Sequence, residues 1–304
     1  MNNLNPAWQQ QYQNALNQQV PNPFYQYLDS TLFPGPLRNQ QNVSLGSLLV
    51  PYPQYGGLYE VGVLGAAERY HSLEFKAQKA FSKGYNLLVS YVYIRETAQT
   101  NTFNDLDAFQ NNLVDQESNQ PRHRFNIAGT WELPVGKGKM LLPSAPRALD
   151  AVIGGWKLAG LSTFISGDFP RFGNLIVTGN PCVSNPNPKA WFNTSAFSRI
   201  PANTYVLRTN PMQYDCITGP HFWNLDGNLT KAIAITERIH AELKLAGYNI
   251  TNHLNRGDPV TDINSSTFGQ TLFQGSPGGT IGAQGATYGN QSGRQMELGF
   301  RITF

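Results

Sequence analysis

Residues 294–304 read RQMELGFRITF. From Met296 every second residue is apolar: Met296, Leu298, Phe300, Ile302 and Phe304. Between them stand Glu297, Gly299, Arg301 and Thr303. Such period-2 alternation marks a strand with one apolar and one polar face. Chain ends are usually polar and frayed, yet this one alternates to an aromatic last residue. Its length, about 10 residues, suits the roughly 9–11 residues of a tilted strand crossing a bilayer. The closing strand of a soluble sandwich would look the same, so the rest of the chain has to decide.

Composition narrows the choice. The chain has 304 residues, 40% hydrophobic and only 13% charged, with 14 Tyr, 17 Phe, 29 Gly and 20 Pro. Soluble domains carry about 25% charged residues. Mean hydropathy is −0.36, and no apolar run approaches the ~18–20 residues of a membrane helix. Few charges with many aromatics, Gly and Asn describe an all-β chain with long polar loops, which is also the composition of an outer-membrane barrel. A net charge of +3, scattered along the chain, excludes a nucleic-acid surface. The first 20 residues, MNNLNPAWQQQYQNALNQQV, show neither the basic nor the apolar region of a signal peptide. The expectation is therefore a cytoplasmic chain, or one whose parent's N-terminal part lies elsewhere.

Alternation recurs along the chain. Residues 1–68 are rich in Asn, Gln and Pro and read as loop, with room for a short helix in 5–20. SLEFKAQKAF (72–81) and YNLLVSYVYI (85–94) form a hairpin across SKG. RFNIAGTWELP alternates from Arg124, GGWKLAGLSTFISG more weakly from Gly154, and FWNLDGNLTKAI from Phe222. RIHAELKLAGYNITN (238–252) uses helix-forming residues but alternates strictly, which predicts a strand. The stretch 96–121 has no sustained period and reads as loop.

The connections are as informative as the strands. In order they are short (SKG), long (96–121), intermediate (135–152), long (168–221), short (AITE) and long (253–292). Short turns on one side and long loops on the other are the habit of outer-membrane barrels. Glu74, Lys76, Glu132, Lys157, Asp226, Glu242 and Lys244 would then line a wet interior. Leu73, Phe75, Leu87, Val89, Ile127, Leu243, Leu245, Leu298 and Phe300 would face lipid. Tyr91, Tyr93, Trp131 and Trp156 stand near strand ends, where aromatic girdles sit. Seven strands are clear, an odd number. The expected architecture is an antiparallel transmembrane β-barrel segment of seven or eight strands over 69–304. Residues 1–68 would then be the end of an extracellular loop from a strand not present here.

Taken in order, several blocks resemble the last part of Oar-like TonB-dependent outer-membrane receptors. They are YHSLEFKAQKAFSKGYNLLVSYVY, QPRHRFNIAGTWELPVGKG, GGWKLAGLSTFISGDFP, WFNTSAFSR, NLDGNLTKAIAITERIHAELKLAGYNITNH and GRQMELGFRITF. No block is specific alone; the ordered set, spanning about 68–304, is. The resemblance implies a carboxypeptidase-regulatory-like N-terminal domain, a plug and a 22-stranded barrel, of which the plug and the TonB box are not found in this sequence. It implies partners: outer-membrane lipid, the missing N-terminal plug and barrel portion, and TonB through that portion. It also implies that Met296, Leu298, Phe300, Ile302 and Phe304 resemble the signal read by the barrel-assembly machinery, with Phe304 closing the barrel.

Candidate chemistry is sparse. Cys182 and Cys216 lie in one Pro/Asn-rich loop. A disulfide is expected if that loop is outside the cytoplasm, with two unpaired thiols the alternative. Arg122, His123 and Arg124 in PRHRF read as an anion site or, more simply, as a charged strand start at the membrane rim. His71 reads as a rim histidine. Asp168, Asp215 and Asp226 lack partner spacing for metal or acid–base work. The sequons NTS, NLT and NIT are frequent by chance in an Asn-rich chain. No nucleophile elbow is present, so neither an enzyme nor a cofactor is expected. Three functions stay open: the barrel part of a TonB-dependent receptor-like transporter for a bulky solute, an outer-membrane surface or adhesion protein, and a soluble secreted β domain.

Overall fold

The alternating segments form strands, and successive strands pair with each other. The computed structural model describes the chain apart from residues 1, 3, 28, 34, 56–57, 59–64, 105–112, 119, 203, 205, 237 and 274–292. The main sheet holds β1 (Ala67–Ser82), β2 (Tyr85–Thr102), β3 (Leu113–Glu117), β4 (His123–Glu132), β5 (Trp156–Ile165), β6 (Phe222–Ala234), β7 (His240–Tyr248) and β8 (Gln295–Thr303). Its order is β8-β7-β6-β5-β4-β2-β1, antiparallel throughout, with β3 paired to the far half of β2. The sheet is open: among the described residues β1 pairs only with β2, and β8 only with β7.

The turns at one end are tight for identifiable reasons. Lys83 and Gly84 connect β1 to β2 with φ of 52° and 85°, the left-handed pair that a two-residue hairpin matched to strand twist requires. Between β6 and β7 the Ile239 carbonyl accepts from the N–H groups of Ile235 and Thr236. The third connection, between β4 and β5, carries the short helix Arg147–Ile153. The Asp150 carboxylate accepts the Lys137 N–H at 2.6 Å, and Lys231 Nζ donates to the Gly154 carbonyl. Gly155 has φ +69°, and a Cβ there would lie 2.4 Å from the Ala232 carbonyl oxygen, so only glycine fits.

Two expectations are corrected. The stretch 96–121 is not all loop. β2 continues to Thr102 and pairs with β3, Thr97 opposite Glu117 and Thr102 opposite Leu113. A strand pair beyond the membrane has no lipid-facing side, so alternation is not demanded of it; Gln116 of β3 is instead buried against Met212 of the long loop. For the same reason β1 begins at Ala67, five residues before its alternation becomes clear. The unpatterned residues 105–112 and most of the Gly-rich stretch up to 292 lie outside the described residues.

Burial is distributed unlike that of a soluble protein. Large apolar residues on the sheet are exposed: Leu73 is 65%, Phe75 58%, Phe300 67% and Leu298 74% accessible. The principal core of the chain lies in the long loop after β5, where Phe172, Leu175, Phe192, Ala196, Phe197 and Ile217 are buried together. An exposed apolar surface of this extent needs a non-aqueous neighbour. The N-terminal segment makes a small unit of its own. Asn5 caps the helix Pro6–Tyr12, Gln19–Pro21 pairs with Asn42–Ser44, and Phe33 stacks on Phe24.

Candidate functional site

Cross-strand registers sort the side chains into two faces, since residues directly opposite share a face. One face is mainly apolar; its charged members include Lys79, opposite Leu87, and Lys231, opposite Leu243 and Trp156 and bonded to the Gly154 carbonyl. Phe75, Tyr91, Phe125, Phe164 and Trp223 form one row. Tyr85, Trp131, Leu158, Leu229, Leu245 and Leu298 form another. Leu73, Leu87, Val89, Ile127, Leu243 and Phe300 fall on this face by the same registers. On β8, Met296 stands opposite Gly247 and Ile302 opposite Ala241. Phe304 lies just beyond the strand, 95% exposed.

The other face is mainly polar, with Leu88, Ala128 and Leu161 forming one apolar row on it. Ser90, Asn126, Thr163 and Asn224 share a row, and so do Glu132, Lys157, Thr230 and Lys244. Glu242 stands opposite Arg301, and Glu74 and Lys76 on β1 belong to the same face. Thr130 Oγ1 donates to Asn86 Oδ1 at 3.0 Å, and Asn126 Nδ2 reaches Ser90 Oγ at 3.4 Å. Gln78, Asn86, Thr130, Asp226, Asn228 and Lys244 line a concavity here, a surface that can hydrogen-bond a polar solute or water.

Aromatic and histidine rings mark the end of the apolar face from which the long loops leave. Tyr91 Oη and His123 Nδ1 are 2.9 Å apart, and His221 stacks between Phe164 and His253. PRHRF is accordingly dispersed rather than gathered. His123 joins this belt, Arg122 pairs with Glu117 at 2.7 Å and lies over the Phe169 ring, and Arg124 falls on the polar face beside Val92. No anion site is assembled from it.

Beyond the belt the long loops brace each other. In the 166–221 loop, Phe172 stacks on Phe197 with centroids 5.3 Å apart, and Phe192 and Tyr214 pack edge-on to both. Phe268, from the loop after β7, completes the cluster. Cys182 and Cys216 are joined by a disulfide, Cα atoms 5.9 Å apart. Gln213 Nε2 donates to the Glu117 and Phe169 carbonyls, tying the loop to β3. Asn255 exchanges two hydrogen bonds with the Trp223 backbone at the start of β6. Segments that read only as long loops thus form a packed cap. Sequence reading missed it because aromatic residues in an irregular segment carry no period; the density of Phe and Tyr between 169 and 214 was the available signal.

The cap holds one acidic pair. Asp168 is buried. Asp258, from the loop after β7, comes beside it. Burial of its carboxyl, a hydrogen bond to the Asp168 side chain and the Asp168 charge raise Asp258 to about 7, although the residue keeps an exposed edge. Asp258 lies far along the chain from Asp168, beyond the reach of any spacing rule. Among the described residues no three or more His, Cys, Asp or Glu gather as metal ligands, and no helix is long and apolar enough to cross a membrane.

An apolar face open to its surroundings, a polar opposite face, turns at one end and braced loops at the other define a membrane β-barrel sheet. The chain belongs to the family described as outer membrane beta barrel domain, which it matches over residues 5–295. It is an outer-membrane protein. No curated protein and no solved structure matches it.

Proposed function

We propose that this chain is the C-terminal barrel portion of a TonB-dependent receptor-like transporter that takes up a bulky solute. The observation that carries the reading is the open sheet. Its seven sequential strands and the short β3 leave both β1 and β8 with a free edge among the described residues. Unpaired strand edges in lipid cost several kcal/mol per backbone group, so further strands must close them. A 22-stranded barrel of the receptor kind would supply such strands around a polar lumen and a plug. Those strands, the plug and the TonB contact are assigned to an N-terminal portion, and the barrel-assembly machinery to the terminal strand ending at Phe304. The chain itself is assigned no catalysis and no cofactor.

A second reading, a surface or adhesion protein, is favoured by one observation: the braced cap presents a fixed outer surface. Two experiments separate them. In-frame coding sequence for a plug and a TonB box upstream supports transport, and so does solute uptake that is lost on TonB depletion. Binding of cells to a surface that survives TonB depletion, with no plug encoded, supports adhesion. Residues 1–304 expressed alone behind a signal peptide should give no heat-modifiable, protease-resistant band; such a band would contradict the shared-barrel reading.

A further inference from the structure

We propose that the connection between β4 and β5 is a membrane-interface anchor whose apolar residues enter the phospholipid leaflet at the turn end of the sheet. Met140, Leu141, Leu142, Leu149 and Val152 are all exposed there, Met140 to 77% and Val152 to 67%. The turn end of an outer-membrane barrel is its periplasmic end. Large apolar side chains gathered on one such connection and left in water are not the rule for a soluble surface; a patch of this kind marks a contact with a partner or a membrane.

The place of the connection decides for the membrane. Trp156 and Lys231 stand opposite each other on the apolar face, and Lys231 is also opposite Leu243. Both side chains reach the end of the helix Arg147–Ile153. Trp156 Nε1 donates to the Val152 carbonyl at 3.0 Å, and Lys231 Nζ donates to the Gly154 carbonyl. The helix is therefore held on the lipid side of the sheet. Its exposed Leu149 and Val152, one turn apart, extend the apolar surface that begins at Trp156 and Leu158. On the same face Lys79 Nζ lies 3.7 Å over the Tyr85 ring. Aromatic rings with long basic side chains mark the level at which lipid tails give way to headgroups, and the helix starts from that level.

The charges suit phosphates. Asp150, the acidic residue of the helix, is occupied within the connection, accepting the Lys137 N–H at 2.6 Å. Glu132 is paired with Lys139 at 3.2 Å. Lys137 and Arg147 are exposed and, among the described residues, form no ion pair. Apolar residues flanked by such cations are the pattern of a segment lying in the plane of the interface. The inference needs only the membrane sheet, and it holds whether the parent protein transports or adheres.

The test is depth-dependent fluorescence quenching of the full-length protein in vesicles of phosphatidylcholine and phosphatidylglycerol. Met140→Cys, Val152→Cys and, as a control in the cap, Lys189→Cys each carry an environment-sensitive fluorophore. All three side chains are exposed, so the fold should be kept, checked by heat-modifiable mobility and an intact Cys182–Cys216 bond. A nitroxide near the top of the acyl chain should quench the labels at 140 and 152 at least twofold more than a nitroxide on the headgroup. The label at 189 should show no such excess. Stronger headgroup than acyl-chain quenching at 140 and 152, or none, would overturn the proposal and leave the connection in water. A blue-shifted label that no lipid nitroxide quenches would also overturn it, because a second copy or another protein would then cover the patch.

Discussion

Glu242 and Arg301 stand opposite each other across the last two strands, and one residue along each strand Leu243 stands opposite Phe300. A single register thus puts a charge pair on one face and an apolar pair on the other. The division into a mainly polar and a mainly apolar face continues to β1, although charge pairs do not. A slip of one residue in β7 or β8 would turn Glu242, Lys244 or Arg301 toward lipid, so the register there fixes the sheet's inside and outside.

Substitution by arginine should reveal this asymmetry. Leu245→Arg, opposite Leu298, should destabilise the membrane-folded protein by roughly 2–4 kcal/mol if it lies near the midplane. Lys244→Arg on the polar face should cost under about 0.5 kcal/mol. Urea-dependent folding of the full-length variants into lipid vesicles measures both; equal costs would argue against the assigned faces.

The disulfide should stabilise the cap independently of the sheet. Cys182 and Cys216 are 34 residues apart, and a closed loop of that size restricts the unfolded state by roughly 3–4 kcal/mol. Thiol titration of denatured, unreduced protein should find no reactive thiol, and the double Cys→Ser variant should be cleaved faster in the loop. Two reactive thiols would exclude the bond.

The aromatic cluster should behave in the same way. Phe192 is 1% exposed and touches Phe172, Phe197 and Phe268. Phe192→Ala should cost the cap about 3–5 kcal/mol and open 168–221 to protease. The electrophoretic mobility of the folded barrel should not change, because the cluster contributes nothing to the strands.

How much of this was legible in the sequence depended on which environment a segment meets. Where one face meets lipid and the other a wet lumen, as at Leu243–Phe300, alternation announces the strand. Where no face meets lipid, as in β3 with its buried Gln116, the pairing is real but unpatterned. The N-terminal ladder Gln19–Pro21 with Asn42–Ser44 is equally silent, held by such local contacts as Asn22 Nδ2 to the Leu37 and Gln40 carbonyls. The acidic pair was out of reach for another reason. Asp168 and Asp258 meet only because β5, β6 and β7 bring two loop roots side by side, and no local rule encodes that approach.

Removing the last residue should affect assembly more than stability. Phe304 is 95% exposed and lies outside the β7–β8 ladder, which ends at His240 opposite Thr303. Deleting it removes almost no packing, so a change in equilibrium stability should stay within about 0.5 kcal/mol. Slower appearance of the folded form in cells, with unchanged stability in vitro, is the expected outcome. Unchanged assembly kinetics would dissociate Phe304 from the assembly signal.

The most direct measurement is lipid accessibility at two adjacent positions. Spin labels placed singly at Leu243 and at Glu242 in the full-length protein, in bilayers, are relaxed by a lipid-soluble agent and by a water-soluble one. The label at 243 should respond mainly to the lipid-soluble agent and the label at 242 mainly to the water-soluble one. Equal responses at the two sites, or the reverse order, would contradict a membrane-spanning sheet with its Leu243 face toward lipid.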